Sequence, residues 1–131
     1  GSSAIRSVLR PPRPAARAAG AARRGRAVIA RIWRGWVATD GADAYVAYMA
    51  ATGLPGYRDT PGNLGAHMLR RDLPDGRTEV VMVSFWESMD AVRAFAGDDV
   101  ERAVFYPDDV EHLVAAEDTV KHYGVALSAT P

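Results

Sequence analysis

The spacing of apolar and polar positions changes period several times after residue 26, and each change marks an element. Residues 27–37 (AVIARIWRGWV) are rich in β-branched and aromatic side chains and read as a strand. Thr39 and Asp40 carry helix-start chemistry. Beyond them Ala42, Tyr45, Val46, Met49 and Ala50 recur at i, i+3, i+4, i+7 and i+8, one face of a helix. That helix is expected to stop at Gly53, with Leu54-Pro55-Gly56 and Pro61-Gly62 forming an irregular connection. Residues 63–73 and 77–86 read as two strands joined through Pro74-Asp75-Gly76, a hairpin signal. Ser88 then opens a helix with Met89, Val92, Phe95 and Ala96 along one face and Gly97 at its end.

Two similar segments follow. Asp98-Asp99-Val100-Glu101 and Asp108-Asp109-Val110-Glu111 each place an Asp three residues before a Glu, the spacing of a capping box. Each is expected to begin a short helix, which accounts for these acids without a metal. Residues 118–127 (DTVKHYGVAL) read as the closing strand. The order is β-α-β-β-α-β with the second helical region in pieces. That is the ferredoxin-like α+β arrangement, a four-stranded antiparallel sheet with helices on one face.

Such a sheet, wet on its other face, should alternate apolar with polar residues. These strands do not. In 79–86 one parity gives Val80, Met82, Ser84 and Trp86, the other Val81, Val83 and Phe85. In the first strand both parities carry large apolar groups, Ile32 and Trp36 on one and Ile29 and Trp33 on the other. Two helices cover one face only, so the second face needs an apolar partner. A homodimer with its sheets face to face is expected.

Composition adds a division near residue 26. Seven of the sixteen basic residues and none of the sixteen acidic ones lie in residues 1–26, an Arg/Ala/Pro-rich extension in which Gly1-Ser2-Ser3 reads as an expression remnant. Three readings of this extension stand: a loosely ordered tail, a targeting-like segment, or an arm reaching a partner protomer. Residues 27–131, the ferredoxin-like domain, hold nine basic against sixteen acidic side chains, a balance of −7. An acidic body has no footprint for phosphate backbones, so no nucleic-acid partner is expected. The absence of cysteine excludes thiol nucleophiles and Cys-ligated metals. No apolar run reaches membrane-spanning length, and no phosphate-binding loop or hydrolase motif is present. A cytoplasmic, membrane-free protein is expected.

The segments IARIWRGW, ADAY, GLPGY, SFWESMDAVRAFAG, YPDD and VKHYGV together resemble the antibiotic-biosynthesis-monooxygenase-like proteins of the dimeric α+β barrel superfamily. The resemblance covers about residues 27–126. It implies one pocket per protomer between sheet and helices, and an activity among cofactor-free oxygenases of phenolic and polyketide substrates or haem-degrading monooxygenases. Aligned on those motifs, Arg34 stands where haem-degrading members have a pocket Asn, Phe95 where they have a Trp, and Phe105 where they have the iron-ligating His. The missing ligand argues against haem degradation by the family's usual arrangement. The cofactor-free oxygenases use a comparable Asn and Trp, so their detailed mechanism is not carried over either.

What remains is an aromatic pocket with a few polar groups. Arg34, His122 and Tyr106 are the expected catalytic set: a guanidinium to hold an enolate or phenolate, an imidazole to take a proton, and a hydroxyl donor favoured over Tyr45 and Tyr57 near the pocket mouth. Trp36, His67, Trp86, Phe95, Phe105 and Tyr45 are the expected substrate-binding residues. The competing readings are a structural ion pair for Arg34, hydrogen-bonded structural roles for His122 and His67, and core packing for the tryptophans. Arg31, of opposite parity to Arg34, is expected at the dimer face or a sheet edge. The function expected is a cofactor-independent monooxygenase-like enzyme acting on an aromatic small molecule, with no cofactor and no metal. A non-oxidative isomerase, cyclase or lyase, and a haem- or ligand-binding dimer, are the alternatives.

Overall fold

The computed structural model describes residues 27–131. The division at residue 26 and the readings of the extension therefore lie outside the described residues. Strand β1 (Ile29–Ala38) runs through a single 3-10 turn (Thr39–Gly41) into α1 (Ala42–Asp59). The β2 (Asn63–Asp72) and β3 (Arg77–Trp86) hairpin comes next, then α2 (Met89–Ala96), α3 (Asp109–His112), β4 (Leu113–Ala116) and β5 (Lys121–Gly124). The sheet is antiparallel in the order β2-β3-β1, with β4 and β5 both on the far side of β1. This is the ferredoxin-like α+β fold, with helices on one face. Among the described residues no helix is long and apolar enough to cross a membrane.

Where the outcome departs from the expected elements, tertiary contacts explain it. Helix α1 does not stop at Gly53; it continues through Pro55 and Gly56 to Asp59. Those glycines serve close approach rather than termination. A Cβ on Gly56 would lie 3.3 Å from the Tyr106 hydroxyl and 3.5 Å from Phe95, and one on Gly53 would meet the Met49 methyl. Helix α2 matches its signals: the Ser88 hydroxyl accepts from the Ala91 N–H, and Gly97 ends it at φ 88°.

Asp98–Glu101 forms a turn and no helix, because its backbone is engaged elsewhere. The Val120 N–H donates to the Glu101 carbonyl and the Val100 carbonyl accepts from Arg31. Asp108 does precede the one-turn helix α3 but makes no side-chain cap.

The closing strand is shorter than expected, and Leu113–Ala116 is an additional strand. Between β4 and β5, residues 117–120 bulge away from β1. The pairing runs from Gly35 with Ala116 to Ile32 with Lys121, so two residues of β1 face four. The bulge is tied down at both ends: the Glu117 N–H donates to the Arg34 carbonyl, and the Val120 N–H donates to the Glu101 carbonyl.

Strand parity now resolves into faces. Arg31, Trp33 and Val37 of β1 lie with Val80, Met82, Ser84 and Trp86 of β3 under the helices, where the core gathers around Tyr45, Met49, Tyr57 and Val92. Burying each such large apolar side chain stabilises the fold by roughly 1.5–3 kcal/mol. The opposite face carries Ile32, Arg34 and Trp36 beside Val81, Val83 and Phe85, with His67 and Leu69 from β2 and Tyr123 from β5. No element of the described chain covers it.

Candidate functional site

A cavity of about 20 Å³ lies between the sheet, α1 and α3. It fits about one water molecule. Arg31 and Trp33 come to it from β1, Met82 from β3, Tyr45, Met49 and Tyr57 from α1, and Asp109 from α3.

Arg31 is the most unusual group there. Its side chain is buried (3% exposed), yet no carboxylate pairs with it among the described residues. The guanidinium donates to the Val100 carbonyl at 2.6 Å and the Arg102 carbonyl at 3.1 Å, and meets His122 Nε2 at 3.0 Å. Arginine has no acceptor, so Nε2 accepts and the imidazole carries its proton on Nδ1. Burial first, then the Arg31 charge, holds the His122 pKa below the usual imidazole range, with Glu101 opposing. Burial likewise lowers the Arg31 pKa, but a guanidinium stays charged. Phe95 lies 5.8 Å from the guanidinium carbon, ring-on.

Phenols and rings surround this cation. Tyr57 stacks on Phe95 at 4.4 Å, and Phe95 tilts against Trp86 at 5.3 Å. Burial pushes the Tyr57 phenol up to about 12, and it also raises the phenols of Tyr45 and Tyr106. At neutral pH all three are hydrogen-bond donors and no anion neutralises Arg31.

Asp109 is the second unusual group. It is 4% exposed; its Oδ2 accepts from the Tyr106 N–H at 2.6 Å, and its Oδ1 has no hydrogen bond of good geometry, although the Tyr45 phenol lies beside the carboxylate and opposes the effect of burial on it. Burial is the main cause that raises its pKa. Around it His112 packs on Tyr48 at 5.2 Å and on Tyr45 at 5.4 Å, and the Tyr48 hydroxyl accepts from the Asp108 N–H. These contacts fix α3 against α1.

The structure divides the residues expected to act together. Tyr45 lines the cavity; His122 reaches it through Arg31; Tyr106, Phe95 and Trp86 stand around it, Trp86 fully enclosed with its indole N–H on Ser84 Oγ. Phe105 is 45% exposed and meets Trp33 edge-on at 6.1 Å. Arg34, Trp36 and His67 lie on the opposite face of the sheet. There Arg34 holds Glu117 at 3.0 Å and approaches Glu79 at 3.9 Å, the ion-pair alternative, and it overlies Trp36. Arg31 and Arg34 have thus exchanged their expected places: Arg31 is at the pocket, not at the dimer face or sheet edge. Which parity faces the helices depends on strand pairing, and the β1 sequence does not show it. Tyr57, offered by the sequence beside Tyr45 and Tyr106 as a hydroxyl donor, does line the cavity, and Asp109 lines it without a signal in the sequence beyond its capping-box spacing. The first sits beyond the assumed helix end.

The donor set does not suit an iron-bound haem. His122 Nε2 is taken by Arg31, His67 is on the far face, His112 is stacked between tyrosines, and Phe105 has no ligating atom.

Residues 27–104 match the family model of the antibiotic biosynthesis monooxygenases. No curated protein sequence matches the chain. Among solved structures it is similar to a Bacillus cereus protein assigned to the antibiotic biosynthesis monooxygenases (18% identity, 80% of this chain and 99% of that one, TM-score 0.59). It is also similar to a Streptomyces coelicolor monooxygenase in complex with nanaomycin D (20% identity, 81% and 94%, TM-score 0.53). A third, from Caulobacter crescentus and assigned to the same group, shares 14% identity over 79% and 93%, with a TM-score of 0.53. At these identities the likeness is one of fold.

Proposed function

This chain belongs to the antibiotic biosynthesis monooxygenase family, and on that premise we propose that it is a cofactor-independent monooxygenase acting on an aromatic or polyketide-type small molecule. The observation that carries the reading is Arg31, a buried cation without a carboxylate partner, facing a cavity walled by aromatic rings. Leaving a buried charge uncompensated costs several kcal/mol, so the arrangement suits a site completed by an anionic ligand. The nanaomycin D complex of the Streptomyces relative supports a small-molecule ligand.

A substrate that can itself reduce O₂, and that enters as its phenolate or enolate with its proton already lost to solvent, asks two things of the protein: stabilise the anion and exclude water. Arg31 would hold the anion, the task expected of Arg34. His122, with Nε2 committed, acts as a positioning residue that keeps the guanidinium aimed. Tyr57 and Tyr106 stay protonated and can donate. One oxygen atom then enters the substrate and the other leaves as water, with all reducing electrons supplied by the substrate. A ring needs more room than 20 Å³. The unbranched Met49 and Met82 and the irregular segment at Val104 are the parts of the wall that can yield.

The open sheet face supports the expected homodimer. Ile32, Trp36, Val81, Val83 and Phe85 remain partly exposed there, and Leu69 and Tyr123 are about half exposed. An apolar surface of this extent, on a rigid sheet, suits a second copy across a two-fold axis.

Oxygen consumption with a panel of hydroquinones and anthrones tests the activity. One O₂ consumed per anthrone oxidised, with one of its atoms retained in the quinone product, is the expected result, with Arg31→Gln slowing it about a hundredfold. A hydroquinone dehydrogenated to its quinone without oxygen incorporation would instead mark an oxidase. Turnover unchanged in the Arg31→Gln variant would remove Arg31 from the mechanism. Product formed without oxygen uptake would assign the pocket to an isomerase, cyclase or lyase.

A further inference from the structure

Two unmet polar needs meet in the one cavity, and they are of opposite kind. Arg31, from the sheet, is a buried cation whose hydrogen bonds go to carbonyls and an imidazole. Asp109, from α3, presents the sole buried side-chain polar atom without a well-formed hydrogen bond among the described residues, with the Tyr45 phenol, itself a lining residue, as the donor beside it that a ligand hydroxyl would supplement. Both line the cavity, yet they form no ion pair with each other within 4.0 Å. An isolated polar atom in such a place costs about 1–3 kcal/mol, and the surrounding contacts hold it there instead of relieving it. The Tyr106 N–H fixes Oδ2, and the His112 stack on Tyr45 and Tyr48 fixes α3.

We infer that the cavity recognises a bipolar ligand, a small planar acid whose anionic group lies on Arg31 and whose far end carries a hydroxyl that donates to Asp109 Oδ1. This rests on the reading of the cavity as the ligand site, and it makes Asp109 a specificity-determining residue. The ligand separates the two charges and satisfies each, so a molecule with one of the two groups leaves one need unmet. Binding must displace the flexible ends of Met49 and Met82, not the fixed Tyr106–Asp109 hydrogen bond. The aromatic wall of Tyr45, Tyr57 and Trp33 accepts the ring between the two ends.

The test is equilibrium binding of three probes to the full chain, followed by calorimetry or tryptophan fluorescence: benzoate, phenol and para-hydroxybenzoate. Wild type is expected to bind para-hydroxybenzoate about tenfold more tightly than either single-function probe. Asp109→Asn should abolish the advantage of para-hydroxybenzoate over benzoate while leaving benzoate affinity within about twofold. Arg31→Gln should abolish its advantage over phenol. If either variant weakens all three probes equally, or wild type binds benzoate as well as the hydroxy acid, the inference is overturned. Should Arg31→Gln not fold, Arg31→Lys keeps the charge without the planar fork and should still lose affinity for both acids. Because binding is read without turnover, selective binding with no oxygen uptake would retain this inference and discard the oxygenase reading. No binding of any probe overturns the inference itself.

Discussion

A carboxylate as enclosed as that of Asp109 works against the folded state. Its pKa is raised by burial, so ionising it is harder in the native protein than in the unfolded chain. Well below the unfolded-state value of about 3.9 the group is protonated in both states and carries no penalty. As pH rises through the raised native pKa, the penalty grows and then stays. Asp109→Asn is therefore expected to be more stable than wild type at neutral pH by about 1 kcal/mol or more. The gap should close on acidification, as thermal unfolding at a series of pH values would show. A variant less stable at neutral pH would mean that the carboxylate is satisfied in the folded protein. Stability gained where ligand discrimination is lost is the pattern of a functional residue. At this scale the sequence was only partly legible. Tyr45, Phe95, Tyr106 and His122 did converge on one side of the sheet. Arg31 and Arg34 were distinguishable by parity but not by face, because a one-residue change of register exchanges the two faces of a strand.

Helix α1 shows why glycine and proline mislead at the scale of an element. Gly53, Pro55 and Gly56 together read as a stop, yet the helix runs through them, and the glycine at 56 lets Tyr106 and Phe95 come to 3.3 and 3.5 Å from where a Cβ would stand. Gly56→Leu should therefore cost about 1–3 kcal/mol of stability and displace Tyr106, visible as a lower Tm and a changed Tyr57–Phe95 environment in aromatic NMR shifts. An unaltered Tm would show that the ring is not held against the helix. The other elements follow the same logic. β1, the hairpin and α2 were legible because their signals are local: alternation, a Pro-Asp-Gly turn, and a Ser and Gly at the two ends of a helix. The region after Gly97 was not, because its backbone bonds to β1, to the bulge and to Arg31, partners distant in sequence.

For the molecule as a whole, both the fold order and the apolar character of the second face could be read from the strands, since neither parity of β1 or β3 is polar. Val83 stands near the middle of that face, opposite Ile32 on one side and His67 on the other. Val83→Glu is expected to leave the far-ultraviolet circular dichroism unchanged and to convert a dimer into a monomer, as native mass spectrometry would record. A wild-type monomer, or a variant dimer of equal strength, would count against face-to-face pairing.

The bulge between β4 and β5 bears on how far such association can go. It interrupts one margin of the sheet with backbone groups already bonded inward, so no long row of free donors and acceptors is offered to another chain there. The other margin, β2, is broken near Leu64 and ends in Arg70, Arg71 and Asp72. If copies meet through their broad faces, β2 remains the longer exposed margin, and the charges of Arg70 and Arg71 are what discourage a further strand there. A face-to-face pair related by a two-fold axis, if formed, is closed, and association of that kind would not propagate into fibres.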